Sequence, residues 1–176
     1  MSNLIQMRQP NDGLYELLQE LPNDIVMLEV GVYRGESTSI FLSSGKIKTI
    51  HCVDPWQNGY DADDIASYHT DMSIIENEFR QRAMHDGRIV IHKNYSTVVA
   101  NLMKNEELDF VYIDGAHTYD RVIDDIRAFL PKIKKNGLIG GHDYDPGWPG
   151  VVRAVNQIFG QPDKVFRDGS WLKKLG

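Results

Sequence analysis

A chain of 176 residues, 41% of them hydrophobic and 25% charged, suits one domain with its own core, read here as spanning residues 1–176. The formal net charge of −6 excludes a protein whose main work is gripping nucleic acid, which needs a concentrated basic surface. Cys52 alone cannot form an internal disulfide, no apolar run is long enough to span a bilayer, and MSNLIQMRQPNDG lacks the pattern of a secretion signal, so a cytoplasmic protein without a membrane partner is expected.

Short apolar runs alternate with helical patterns, the mark of a parallel sheet with crossover helices. Strands are expected at 25–31, 47–54, 88–92, 108–114 and 137–142, all rich in Ile, Val, Leu and Tyr. The stretch 56–86 exceeds a crossover's needs: a polar loop (QNGYDADD) precedes a helix near Ser73–Met84, as an insertion over one end of the sheet would. There Trp56, Tyr60, Tyr68 and His69 are read as packing groups or as lining for a substrate. A helix over Ser96–Met103 turns Val98, Val99 and Leu102 inward. One over Asp120–Leu130 aligns Val122, Ile123, Ile126, Phe129 and Leu130 before Pro131, and one over Val151–Phe159 aligns Val152, Val155 and Phe159. Lys164–Arg167 and Ser170–Lys174 flank Asp168-Gly169 and predict a hairpin with a two-residue turn. The scattered lysines 132, 134, 135, 173 and 174 read as solubilising charge.

The segment LEVGVYRGEST, residues 28–38, joins a strand to a helix through Gly31 and Gly35, where the backbone turns sharply and a ligand can approach without a Cβ in the way. With Tyr at position 33 the dinucleotide fingerprint Gly-x-Gly-x-x-Gly fails, and a phosphate loop ending Gly-Lys-Ser/Thr is absent. Asp54 ends the second strand, placed either to accept hydrogen bonds from a ribose diol or to cap the turn Asp-Pro-Trp. At the far side Asp114 ends one strand and His142-Asp143 ends the next. Neighbouring strands lie about 4.8 Å apart, so these groups can converge on a hard or borderline divalent cation.

Glu29, Gly31, Tyr33, Gly35 and Ser37, followed by Asp54, resemble the first motif and following acid of class I S-adenosylmethionine-dependent methyltransferases. VYIDGAHTYDRVIDDI (111–126) and GLIGGHDYD (137–145) are similar to the bacterial macrocin-type sugar O-methyltransferases, and the pattern is also like catechol O-methyltransferase. The resemblance implies a Rossmann-like, mostly parallel seven-stranded sheet closed by the terminal antiparallel hairpin. It implies that Glu29, Gly31, Tyr33, Gly35 and Ser37 hold the amino-acid end of S-adenosylmethionine, that Asp54 holds the ribose, and that Ser96, otherwise a plain N-cap, contacts adenine.

The same resemblance gives Asp114 two duties, beside the cofactor and, with His142 and Asp143, on Mg²⁺ or Mn²⁺; a metal-free site, with Asp114 near the cofactor's amine, is the alternative. His117 falls where the catechol enzymes carry a catalytic Lys. With an unperturbed pKa of about 6.5 it is expected to be largely neutral and to take the proton of a substrate hydroxyl, or else merely to contact the start of the following helix. The expected function is methylation of a hydroxylated small molecule of sugar or natural-product type. A non-catalytic cofactor-binding module and a metal-dependent hydroxylase on the same scaffold are the competing readings. The base-methylating signature of an acid or Asn followed by Pro-Pro-aromatic does not occur after the fourth strand, where the sequence reads Asp114-Gly115-Ala116-His117. The sequence pattern sets no oligomeric state.

Overall fold

The computed structural model describes residues 12–61 and 66–176; the N-terminal segment MSNLIQMRQPN and residues 62–65 of the 56–86 stretch lie outside the described residues. In chain order the elements are α1 (Asp12–Glu20), β1 (Ile25–Val30), α2 (Glu36–Ser43), β2 (Ile47–Asp54), α3 (Ala66–His69), α4 (Met72–Ala83), β3 (Ile89–Lys93), α5 (Ser96–Leu102), β4 (Leu108–Ile113), α6 (Tyr119–Phe129), a 3₁₀ turn (Leu130–Lys132), β5 (Ile133–Gly141), α7 (Pro149–Phe159), β6 (Lys164–Val165) and β7 (Trp171–Lys174). The strands form one sheet in the order β3-β2-β1-β4-β5-β7-β6, parallel from β3 to β5 and antiparallel through β7 and β6. This is the expected seven-stranded, mostly parallel α/β fold.

Period-two alternation sorts each strand between two cores. Met27, Ile50, Cys52, Phe110 and Tyr112 face α1, α2 and α4, against Leu14, Leu17, Phe41, Ile75 and Phe79. Leu28, Val53, Val111 and Ile113 face α5, α6 and α7, against Val99, Val122, Ile126, Phe129 and Val155. Trp56 is buried and stacks on Phe79, a packing role that anchors α4.

The differences from expectation have local causes. Residues 12–20 form a helix that the strand-centred reading passed over, although Leu14, Leu17 and Leu18 lie at helical spacing. Its first turn is held from a distance, because Asp168 Oδ2 accepts the Leu14 N–H at 2.8 Å. β5 begins at Ile133 rather than Gly137: a register irregularity opposite Leu108–Phe110 and a left-handed Asn136 (φ 63°) let the strand continue through a polar stretch.

On α5 only Val99 and Ala100 of the apolar residues go inward, toward α6 and β2, while Val98 and Leu102 are exposed. On α7 Val151, Ala154 and Val155 form the buried face, with Val152 half-buried. The terminal hairpin closes differently from a two-residue turn. Phe166 N–H donates to Ser170, Gly169 N–H to Phe166, and Gly169 sits at φ 90°, the three-residue loop with a glycine bulge.

Lys132, Lys134 and Lys173 are engaged by Asn105, Asp109 and Asp163. Among the described residues no helix is long and apolar enough to cross a membrane.

The sheet's order reverses where β1 meets β4, and the chain opens a crevice there at the strands' carboxyl ends. Gly31 makes that meeting possible. It is left-handed (φ 82°), and a Cβ on it would stand 2.0 Å from the Asp114 carbonyl oxygen. Gly31→Ala should therefore lower stability by about 2–4 kcal/mol through strain and a backbone shift between β1 and β4. Chemical denaturation checks this; a loss near the ~1 kcal/mol typical of any substitution would contradict it.

Candidate active site

The crevice is a cavity of about 360 Å³, within the range of small-molecule sites. Its walls are the Gly31–Tyr33 turn with Ser37, Asp54 at the end of β2, Tyr60 and Asp61 on the following loop, Ser96 opening α5, and Asp114 with His117 after β4.

Asp54 builds the cavity as well as lining it. Its Oδ2 accepts the Val32 and Tyr33 N–H groups at 2.9 Å each, and its Oδ1 accepts the Trp56 N–H at 2.7 Å. Three of the roughly four lone-pair positions of the carboxylate are therefore spent on backbone, including the capping bond to Trp56, and one is left toward the cavity. Burial raises its pKa, opposed by the three backbone donors. Tyr33 (φ 50°) and Trp56 (φ 41°) are left-handed at the points where this carboxylate gathers the chain.

Glu29 lies fully buried behind the loop, where the Ser37 and Thr38 hydroxyls donate to its two oxygens. Gly35 does not reach the cavity wall: it is the left-handed residue preceding α2, and a Cβ there would strike the Phe79 ring at 2.6 Å. Its place is to shape the turn. Ser96 is at the cavity wall, with its hydroxyl donating to Asp125.

At the other end one ligand atom each from Asp114, His142 and Asp143 lie within 4.8 Å of one another. His142 Nδ1 stands 3.1 Å from Asp143 and 3.9 Å from Asp114. Burial, with Asp143 nearby, lifts Asp114 to about 6, while hydrogen bonds from His117 and His142 hold Asp143 well below the usual carboxylate range. Asp143 is itself left-handed (φ 61°), which aims its carboxylate back at β4. Two carboxylates and an imidazole at this spacing fit a divalent cation of the Mg²⁺ or Mn²⁺ type, with positions left for substrate oxygen.

His117 departs from the neutral imidazole expected. Nδ1 contacts Asp61 at 2.5 Å and Nε2 contacts Asp143 at 2.9 Å, so both nitrogens face carboxylates; the ring also stacks on Trp148 with centroids 3.8 Å apart. Burial disfavours the cation, but the two carboxylates outweigh it and raise the pKa to about 10. Without an ion at Asp143 the ring is an imidazolium. Asp61, whose carboxylate also accepts the His117 backbone N–H at 3.0 Å, went unnoticed because it is one of three aspartates in YDADD. Trp148 gave no signal beyond its neighbours Pro146 and Pro149.

Seen against known proteins, residues 28–144 match the methyltransferase-domain family, and the chain belongs to it. Protein R132 of Acanthamoeba polyphaga mimivirus is 28% identical over 156 residues, 82% of this chain; the chain spans 66% of that protein's length. Among solved structures, the TDP-rhamnose 3′-O-methyltransferase CalS11 of calicheamicin biosynthesis superposes with a TM-score of 0.63 at 18% identity, over 94% of this chain and 76% of that one. The O-methyltransferase NovP superposes at 0.64 and 19%, over 93% and 79%. The fold is that of class I S-adenosylmethionine-dependent methyltransferases, and S-adenosylmethionine is the cofactor the family implies.

The buried acid behind the loop gives a pH test. Burial raises Glu29 to about 8, opposed by its two hydroxyl donors and reinforced by Asp114 and Asp54. An acid whose folded pKa lies above its unfolded value of about 4.3 stabilises the fold below that value and loses the contribution as pH rises through about 8. Stability of the ligand-free protein should fall between pH 5 and 8, and Glu29→Gln should flatten part of that fall. Denaturation at a series of pH values reads it; parallel curves for the two proteins would contradict it.

Proposed function

We propose that this protein transfers a methyl group from S-adenosylmethionine to a hydroxyl oxygen of a small molecule of sugar or natural-product type, with a divalent cation, Mg²⁺ or Mn²⁺, held by Asp114, His142 and Asp143. The observation that carries the reading is the convergence of those three side chains beside the cavity, whose wall Asp114 shares with the glycine turn.

Charge supports the cofactor. S-adenosylmethionine bears a sulfonium and an ammonium against one carboxylate, and the cavity wall carries Glu36, Asp54, Asp61 and Asp114 with no Lys or Arg among the described residues. Gly31, Tyr33 and Ser37 line the place for the amino-acid end, with Glu29 fixing Ser37 from behind. The single free position on Asp54 takes a ribose hydroxyl.

A bound divalent cation supplies Lewis acidity that lowers the pKa of a neighbouring hydroxyl. The chain's own groups do the rest. Asp143 would be one of the groups holding the ion, which would weaken its pull on Nε2 of His117, while Asp61 faces Nδ1 and orients the ring with Nε2 as the base. The substrate oxygen attacks the methyl carbon as the carbon–sulfur bond breaks; its proton passes to His117 Nε2, and S-adenosylhomocysteine leaves neutral at sulfur. Alignment of oxygen, carbon and sulfur is the cavity's contribution.

S-adenosylhomocysteine should bind and raise the melting temperature; calorimetry showing no binding by the intact protein would end this reading. Turnover of hydroxylated acceptors should stop in chelator and return with Mg²⁺ or Mn²⁺, and full activity in excess chelator would remove the metal. His117→Ala should lower the rate at saturating substrate by about 10²–10⁴-fold with cofactor affinity little changed. A near-normal rate together with a lower melting temperature would make His117 structural.

A further inference from the structure

The two ends of the cavity differ in chemistry, and the strand order says which part of the cofactor each receives. Along the sheet the carboxyl ends present Ser96 after β3, Asp54 on β2, Gly31 after β1, Asp114 after β4 and His142 after β5. The reacting atoms belong between Asp114 and His117, beside the acids and the imidazole. The glycine turn and Asp54 follow in order toward β3, so the base of the nucleoside falls at the remaining end, between Tyr60 and Ser96.

That end contains a charged group the methyl transfer does not use. Asp125 lies on the inner face of α6, only 2% exposed, among Val122, Ile126 and Phe129. Its Oδ1 accepts the Ser96 hydroxyl, and its Oδ2 has no hydrogen-bond partner among the described residues. A carboxylate buried with one neutral donor costs more than that bond returns, and a residue kept at such a cost points to a functional site. The consequence is directional. A serine hydroxyl has one hydrogen, and with that hydrogen committed to Asp125 the oxygen has only lone pairs left for the cavity.

We propose that Asp125, acting through Ser96, selects the base of the nucleoside: the Ser96 oxygen faces the cavity as an acceptor, admits a purine with an exocyclic amino group and rejects one with an oxygen there. Asp125 is thus a positioning residue for specificity. The inference rests on reading the cavity as the S-adenosylmethionine site.

The test compares S-adenosylhomocysteine with S-inosylhomocysteine, which carries an oxygen in place of the adenine amino group. Burial lifts Asp125 to about 7, opposed by Ser96 and Arg121 and reinforced by Asp124, so binding is measured at pH 8.5, where the group is a carboxylate. Calorimetry on the wild type should show the adenosyl ligand favoured by about 10–100-fold, the worth of one well-made against one repulsive polar contact. In Asp125→Asn the amide can donate to Ser96 and turn its hydrogen toward the cavity, so the preference should fall at least tenfold while S-adenosylhomocysteine still binds. Ser96→Ala, which removes the reading atom, should bring the two ligands to within about threefold of each other. A wild-type preference retained in either variant overturns the proposal, as does a wild type that binds both ligands equally; both outcomes leave the cofactor reading standing. A wild type that binds neither overturns the cofactor reading and this proposal with it.

Discussion

The gathering of acidic groups at the ends of neighbouring strands is the constraint that the rest of the site answers. Glu29, Asp54, Asp114 and Asp143 stand at the carboxyl ends of β1, β2, β4 and β5, half-buried or fully buried; Asp54 and Asp114 raise the cost of ionising Glu29, and Asp143 that of Asp114. In water such a group would be screened; at a partly desolvated rim it is held only by compensation. The fold answers each acid differently. Glu29 takes two hydroxyls, Asp54 takes three backbone N–H groups, and Asp143 takes two imidazoles. Asp114 is the one left largely without donors, its nearest cationic partner being His142 at 3.9 Å. It is therefore the acid with most to gain from a cation, whether the ion of the rim or the positive end of a ligand.

The backbone shows the same concentration. Tyr33, Trp56 and Asp143 adopt left-handed conformations that non-glycine residues avoid, and all three lie at strand ends around the crevice. In the first two, strain is balanced by Asp54, which collects N–H groups from the turn after β1 and from its own strand's continuation. One carboxylate thus shapes the glycine turn, ties β1 to β2 and retains a lone pair for a ligand. The expectations of a ribose acceptor or a cap on Asp-Pro-Trp, the latter met by the Trp56 N–H, missed the hold on the glycine turn, because Val32 and Tyr33 come from a segment twenty-odd residues away.

The sheet and the ordered ends of its strands were legible because buried parallel strands leave dense apolar runs and because ligand sites occupy a fixed place on such sheets. Asp114, His142 and Asp143 could be paired from position alone, since adjacent strand ends are adjacent in space. The residues that complete the site were hidden by tertiary distance. Asp61 reaches His117 from a loop with no periodicity, and Asp125 looks from the sequence like one more acid on the polar face of an amphipathic helix, next to Asp124. Its inward turn depends on Ser96, 29 residues earlier, which no local pattern reveals. α1 was missed for the opposite reason: its spacing was visible, but what fixes its start is Asp168, at the other end of the chain.

The fold by itself does not decide what leaves the cofactor or what receives it. At the β4–β5 rim His117 is held between two acids. Asp61 belongs to the loop that lines the cavity, whereas Asp143 belongs to the three-residue cluster that could hold a cation. In the proposed reading, ion occupancy and base availability would be linked through one carboxylate, since an ion at Asp143 would weaken that carboxylate's hold on the nitrogen that accepts the proton. In the structure the His117 ring is itself the counter-charge to Asp143. A histidine placed only to fill space would need neither carboxylate, and a base placed for metal-free chemistry would need Asp61 alone. The double clasp makes sense where a second cation is expected.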